Sequence, residues 1–198
     1  MKQILMATQN KNKLKEVREM LEPLGITVLS MDDVDLGEVD VIEDGDTFEH
    51  NALKKAKEIA VLANTPVLAD DSGLMVDALG GAPGVYSARF SGVDATSKTN
   101  NDKLLKELAD VPKEGRGAKF VCVMAYATPQ GEAFTTRGEA HGFIIEELKG
   151  EGGFGYDPLF YVTEYEKTYA ELGPVIKNKI SHRAKALTLM KKELEVRA

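Results

Sequence analysis

The chain runs to 198 residues, of which 43% are hydrophobic and 29% charged, with a net charge of −7. That suits one packed domain with a sizeable core, while 18 glycines without a period exclude collagen-like and low-complexity readings. No apolar stretch nears the roughly 18 residues of a membrane span, and the acidic balance disfavours a nucleic-acid polymer more than a small polyanion.

In chain order, residues 2–8 read as a buried opening strand, preceded by no signal segment, so a soluble cytoplasmic protein without membrane contact is expected. From Lys11 the apolar spacing turns helical, with Leu14, Val17, Leu21 and Leu24 on one face and Gly25 as the stop. Residues 26–31 read as a second strand and the acidic segment 32–46 as mostly loop. A long helix is expected over 47–64, with Leu53, Ala56, Ala60 and Ala63 inward, broken by Thr65-Pro66. Val67-Leu68-Ala69 is a short strand ending at Asp70-Asp71-Ser72-Gly73. Alternating strands and helices indicate an α/β fold.

Residues 79–86 form a turn-rich loop, and a helix covers about 97–108. Segments 118–127 and 132–139 read as antiparallel strands, with a further strand inside 138–149 and a last helix over 181–195. Cys122, the only cysteine, excludes an intrachain disulfide and is expected to pack as a small hydrophobe. No flexible linker appears, so residues 1–198 are expected to form a single domain with two lobes and a cleft between them.

Four segments could carry chemistry. The adjacent carboxylates Asp70 and Asp71 repel one another and call for a cation, and a hard metal takes carboxylate and phosphate oxygens together; equally, Ser72-Gly73 could make this a simple turn. Thr8-Gln9-Asn10-Lys11-Asn12-Lys13 joins a strand to a helix, where backbone N–H groups and Lys13 could bind an anion, or where an asparagine could merely cap. Gly150 to Pro158 is glycine-rich, and Phe154 or Tyr156, beside Gly155, offers a stacking face with Asp157 as acceptor; a hairpin with inward aromatics is the alternative. Lys177 to Arg183, placed at the front of the last helix, opposes the helix dipole unless an anion or a carbonyl binds there. The three histidines lack metal-ligand spacing, and no nucleophile elbow is present.

Taken in order, these segments resemble the inosine/xanthosine triphosphate pyrophosphatase family. The strings that carry it are Thr8-x-Asn10-x-x-Lys13, Glu43-x-Gly45-x-Thr47-Phe48, Ala69 to Leu74, Leu79-Gly80-Gly81-x-Pro83-Gly84, Tyr86 to Arg89, Gly153 to Pro158 and Ser181-His182-Arg183. The resemblance implies an elongated central mixed β-sheet flanked by helices, a homodimer, and Mg²⁺-dependent cleavage of ITP, dITP and XTP to monophosphate and pyrophosphate. It further implies Asp71 as general base, with Asp70, Asp71 and Glu43 on the metal. Thr8, Asn10, Lys13, Lys55 and Lys177 would contact phosphates, Phe154 would stack on the base, and Asp157, His182 and Arg183 would read its edge.

One departure stands out. Relatives commonly carry Glu where this chain has His50 in Thr47-Phe48-Glu49-His50-Asn51-Ala52. Imidazole suits softer metals than Mg²⁺, and the favoured reading is that Glu43 and the aspartates suffice. The rival functions are a pyrophosphatase for other modified nucleotides and a non-catalytic purine nucleotide sensor.

Overall fold

The computed structural model describes residues 3–197. Seven strands form one open mixed sheet in the order β2-β1-β3-β4-β5-β6-β7. They are β1 (Gln3–Ala7), β2 (Thr27–Leu29), β3 (Val67–Val76), β4 (Gly117–Ala127), β5 (Ala133–Ile144), β6 (Phe160–Val162) and β7 (Lys167–Thr168). Strand β1 pairs in parallel with β2, Gln3 opposite Thr27, and with β3, Leu5 opposite Val67. Strand β6 runs antiparallel to both β5 and β7. Five helices accompany them: α1 (Lys11–Leu21), α2 (Phe48–Ala63), α3 (Ser97–Glu107), α4 (Tyr169–Ile180) and α5 (His182–Arg197).

The chain divides into two compact units. One holds the residues up to Asp71, Cys122–Gly138 and the residues from Arg183 onward; the other holds Ser72–Val121 and Glu139–His182. The first has its own apolar core, in which Ile4, Met6, Val17, Leu21, Val28, Leu68, Met124, Leu187 and Met190 meet. Cys122 is fully buried there, packed as a small hydrophobe as its apolar run indicated. In the second, Leu74, Leu104, Leu108, Phe120, Ile144, Phe160 and Tyr169 form the core. None of the described helices is long and apolar enough to cross a membrane.

Local chemistry sets the boundaries. The Asn10 side chain caps α1, and Gly25 turns the chain after it at φ 77. Thr47 caps α2 by accepting from the His50 N–H, and Asn64 ends it in the left-handed region at φ 46. Thr96 and Thr99 make a reciprocal capping box on α3, and Thr168 with Glu171 does the same on α4.

Several expectations need correction. Lys2, expected to open the first strand, lies outside the described residues. Strand β3 does not stop at Ala69 but runs to Val76, so the aspartates are inside a strand rather than in a turn after it. Their setting still resembles a strand exit on one side, because β1 ends at Ala7 opposite Ala69 and leaves Asp70 beyond that pairing. Helix α2 buries Phe48, Asn51, Ala52, Ala56, Ile59 and Ala60, so Ala56 and Ala60 point inward as expected, while Leu53 and Ala63 beside them are only half-buried. Strand β5 continues without a break to Ile144, where a separate strand was expected. Helix α4 was not expected at all. Gly173, at φ 72, kinks it ahead of Pro174, and that Gly-Pro pair masks a helix in the sequence.

Candidate functional site

A buried cluster of charges occupies the first unit. Asp70 is wholly buried and meets Lys13 at 3.0 Å and Arg183 at 3.1 Å. Arg183, itself 1% exposed, also pairs with Glu16, while Lys55 pairs with Glu43. Burial pulls the Lys55 amine down, but the negative charges of Asp70, Glu43 and Asp71 outweigh it and hold the amine above its ordinary value. Likewise burial opposes the charge on Arg183, and Asp70 and Glu16 outweigh that.

Asp71 is the exception. Burial, reinforced by the charge of Glu43, pushes its carboxyl up to about 6, against smaller opposing effects of Asn51, Lys13 and Lys55. Within this cluster four carboxylates (Glu16, Glu43, Asp70, Asp71) face three cations (Lys13, Lys55, Arg183). A carboxylate poised near neutrality can take up a proton at physiological pH, and the cations beside it can balance an anion.

The loop that carries Glu43 is fastened from α2. Asn51 Oδ1 accepts from the Gly45 N–H at 2.8 Å, and its Nδ2 donates to the Gly45 carbonyl at 3.3 Å and to Asp71 Oδ2 at 3.0 Å. Gly45 has no room for a side chain: a Cβ there would lie 2.7 Å from both Asn51 Oδ1 and the His50 ring. Gly45→Ala is therefore expected to cost about 1–3 kcal/mol by overpacking, read as a lower urea midpoint, and to impair turnover by displacing Asn51. His50 is exposed and spends its backbone N–H on the Thr47 cap. Its neighbour Glu49 is engaged by Arg137 at 2.8 Å.

The segment from Thr8 to Lys13 is placed at the start of α1. Asn10 Oδ1 takes the N–H groups of Asn12 and Lys13 at 3.0 and 3.2 Å, so the cap occupies two of the donors an anion was expected to use. The Thr8 hydroxyl accepts from the Asn10 N–H, and Gln9 Nε2 donates to the carbonyls of Gly37 and Val39. Lys11 and Asn12 are exposed.

In the second unit the glycine-rich loop converges on Asp157. Its Oδ2 accepts from the Phe154 N–H at 2.9 Å and from Lys177 Nζ at 2.6 Å. Gly153 is obligatory there, since a Cβ would stand 2.1 Å from that same oxygen. Lys177 Nζ also lies 4.6 Å from the centre of the half-buried Phe154 ring. Of the two candidate stacking faces, Phe154 is therefore the accessible one. Tyr156 is buried and donates its hydroxyl to the Ser87 carbonyl at 2.8 Å, and burial pushes its phenol well up.

Gly155 gives its carbonyl to Asn101 at 3.0 Å. His182 is buried and stacked on Phe120 at 4.8 Å. Lys177 is not at the front of the last helix. It sits in the final turn of α4, where a cation complements the helix dipole, and Ser181 ends that helix. Ser72, next to Asp71 on β3, belongs to this unit and is half-buried.

Two participants were missed by sequence reasoning. Glu16 follows Lys13 by three residues and Asn51 precedes Lys55 by four, so helical spacing already put each on the face of a suspected site residue. Among the described residues, no group of three or more His, Cys, Asp or Glu converges as a metal cage.

The sheet and its accompanying helices define an open, mixed-sheet α/β protein. The chain belongs to the Ham1 family, whose model matches residues 4–193. It is 52% identical over 195 residues to the dITP/XTP pyrophosphatase of Geobacter sulfurreducens, covering 98% of this chain and 97% of that one. Against the dITP/XTP pyrophosphatase of Bacillus subtilis the identity is 48% over 195 residues, with 98% of both chains covered. The HAM1 protein of Coxiella burnetii matches with a TM-score of 0.88 at 40% identity, covering 98% of this chain and 99% of that one. The Ham1 protein of Staphylococcus aureus gives 0.87 at 38% identity over the full length of both.

Proposed function

We propose that this chain hydrolyses non-standard purine nucleoside triphosphates, ITP, dITP and XTP, to the monophosphate and pyrophosphate, clearing them from the nucleotide pool. The observation that carries the reading is Asp71: a buried carboxylate raised to about 6 beside Lys13 and Lys55, in a chain about half identical over its length to dITP/XTP pyrophosphatases. Asp71 takes a proton from the water that attacks the α-phosphorus, and pyrophosphate leaves. Lys13 and Lys55 balance the charge of the phosphate chain, with the Thr8–Asn12 segment and Ser72 alongside. Such a displacement needs orientation and charge stabilisation rather than a covalent intermediate.

The donor set fits magnesium. Asp71 and Glu43 offer hard oxygens, their charges repel, and carboxylates outnumber cations in the cluster. Mg²⁺ characteristically takes one or two carboxylates together with substrate phosphate oxygens. When bound it would offset phosphate charge and stabilise the departing pyrophosphate. Asp70, already met by Lys13 and Arg183, would hold those cations in place and add its negative charge to the set that attracts the ion.

Base selection would fall to the Phe154 face, with Gly155, Tyr156 and Asp157 shaping the loop beneath it. Lys177, expected on the phosphates, sits instead over the Phe154 ring and, with His182 and Arg183, would donate to a 6-oxo edge. A guanidinium has five N–H donors, and one clamped by two carboxylates is a rigid fork for a fixed carbonyl. Adenine would present an amino donor to those donors and leave them unmatched. The resemblance also supports a homodimer and a cytoplasmic site of action, the first of which sedimentation equilibrium reads directly.

The test is pyrophosphate release from ITP, dITP, XTP, GTP, ATP and dUTP with Mg²⁺ and separately with Mn²⁺. A kcat/KM for the inosine and xanthosine nucleotides at least about 10²-fold above ATP is expected. Equal turnover of ATP, or no release from any of them, would overturn it. A requirement for Mn²⁺ would instead trace metal choice to the helix start that carries His50.

A further inference from the structure

The amide of Asn51 faces two groups at once, the backbone of Gly45 and the carboxylate of Asp71, and its orientation is not arbitrary. The Gly45 N–H can only donate, so the atom 2.8 Å from it must be the carbonyl oxygen of Asn51. That fixes Nδ2 on the other side, where it donates to the Gly45 carbonyl and, at 3.0 Å, to Asp71 Oδ2. Asn51 is 1% exposed and Asp71 5%, so water does not compete for this hydrogen bond. Gly45 closes the arrangement, because any side chain there would strike Asn51 Oδ1. The acidic loop, α2 and β3 are thus locked to one another through a single side chain.

We propose that Asn51 is the positioning residue for the general base, fixing the rotation of the Asp71 carboxylate and holding the Glu43 loop in register with it. The inference rests on the reading of Asp71 as general base. A carboxylate that must take a proton from one particular water is productive over a narrow range of rotation, and a misplacement of about 1 Å can cost about 10²-fold in rate. The side-chain hydrogen bonds of Asn51 go to Gly45 and Asp71 rather than to Lys13 or Lys55, so it acts on the chemical step and not on the grip of the phosphate chain.

The experiment compares Asn51→Asp, Asn51→Ala and Asp71→Asn with the wild-type enzyme on ITP and Mg²⁺, alongside binding of a non-hydrolysable α,β-imido ITP. Asn51→Asp retains an oxygen for the Gly45 N–H, so the shorter of the two bonds to the loop remains while the donor to the Gly45 carbonyl and to Asp71 is lost; Asn51→Ala removes all three. The expected result is a fall in kcat of about 10- to 100-fold in both Asn51 variants, with KM and analogue affinity within about threefold of wild type.

A kcat within threefold of wild type in Asn51→Asp overturns the inference. So does a loss of analogue binding that matches the loss of kcat, and so does loss of the folded state in both variants, which would make Asn51 a structural residue only. The Asp71→Asn arm separates the two readings. If that variant keeps its activity, the general-base assignment fails; if it is dead while Asn51→Asp is fully active, only the positioning role fails.

Discussion

Asp71→Asn is expected to lower kcat for ITP by about 10³-fold or more while nucleotide binding stays within a few-fold of wild type. An amide accepts no proton at neutral pH, and a positioned general base contributes about 10²–10⁴-fold. The same change is expected to stabilise the metal-free protein at pH 7. Folding raises the Asp71 carboxyl from 3.8 to about 6, chiefly by burial and then by the charge of Glu43. The native state therefore favours the protonated form more than the unfolded chain does. Its contribution to stability is full below about pH 4 and is lost as the pH rises through about 6.

At about 1.36 kcal/mol per tenfold change in proton affinity, the cost of ionising it in the fold is on the order of 2–3 kcal/mol. The difference between Asp71→Asn and wild type should thus open between about pH 4 and 6 and stay level above it. Urea denaturation of both proteins in chelator, across that range, reads it. Added Mg²⁺ should close the gap by favouring the wild-type carboxylate. Near-normal turnover in the variant would remove Asp71 from the base role, and a flat stability difference would show that the carboxyl is not destabilised by its site.

How much of this was legible beforehand depended on how local the cause was. Caps and stops were readable because they act within a few residues: an asparagine cap and Gly25 around α1, Thr65-Pro66 after α2. The length of β3 was not, because Asp70 and Asp71 look like a turn in any local reading. Two adjacent acids survive inside a buried strand only because Lys13, Lys55 and Arg183 come from distant parts of the chain to meet them. The kinked helix α4 was hidden for the converse reason. Gly173-Pro174 is a local break signal that the capping box before it and the packing of Tyr169 and Leu172 override.

The candidate residues themselves came from ordered motifs, yet what each one touches did not. Arg183 does stand at a helix start, the first turn of α5, but the charges of Asp70 and Glu16 that engage its guanidinium there were not legible. Lys177 was expected at the start of a helix and lies at the end of one, bonded to Asp157. Asn51 sat inside a quoted motif without a role, because an uncharged side chain gives no electrostatic signal in sequence. Only its two hydrogen-bonding directions, one to Gly45 and one to Asp71, reveal what it connects.

Removing Arg183 is the change with the largest expected effect on stability. The residue is 1% exposed, and its guanidinium serves Asp70, wholly buried, and Glu16. Taking one partner out of a buried charge cluster costs about 3–5 kcal/mol, because the remaining charge is left in a poorly solvated place. For a chain of this size each kcal/mol moves Tm by about 2–4 °C, so Arg183→Ala should melt on the order of 10 °C below wild type. Its ratio of ITP to ATP turnover should also fall, by more than its affinity for inorganic pyrophosphate.

Arg183→Lys separates the two effects. A lysine keeps a positive charge near Asp70 and so should recover much of the stability, but it lacks the planar fork and should not recover base discrimination. Calorimetry and the ITP-to-ATP ratio together decide the matter. A Tm within 2 °C of wild type in Arg183→Ala would show that Lys13 alone can balance Asp70. An unchanged nucleotide ratio in both variants would confine Arg183 to holding the carboxylates, and would pass the reading of the base edge to Lys177 and His182.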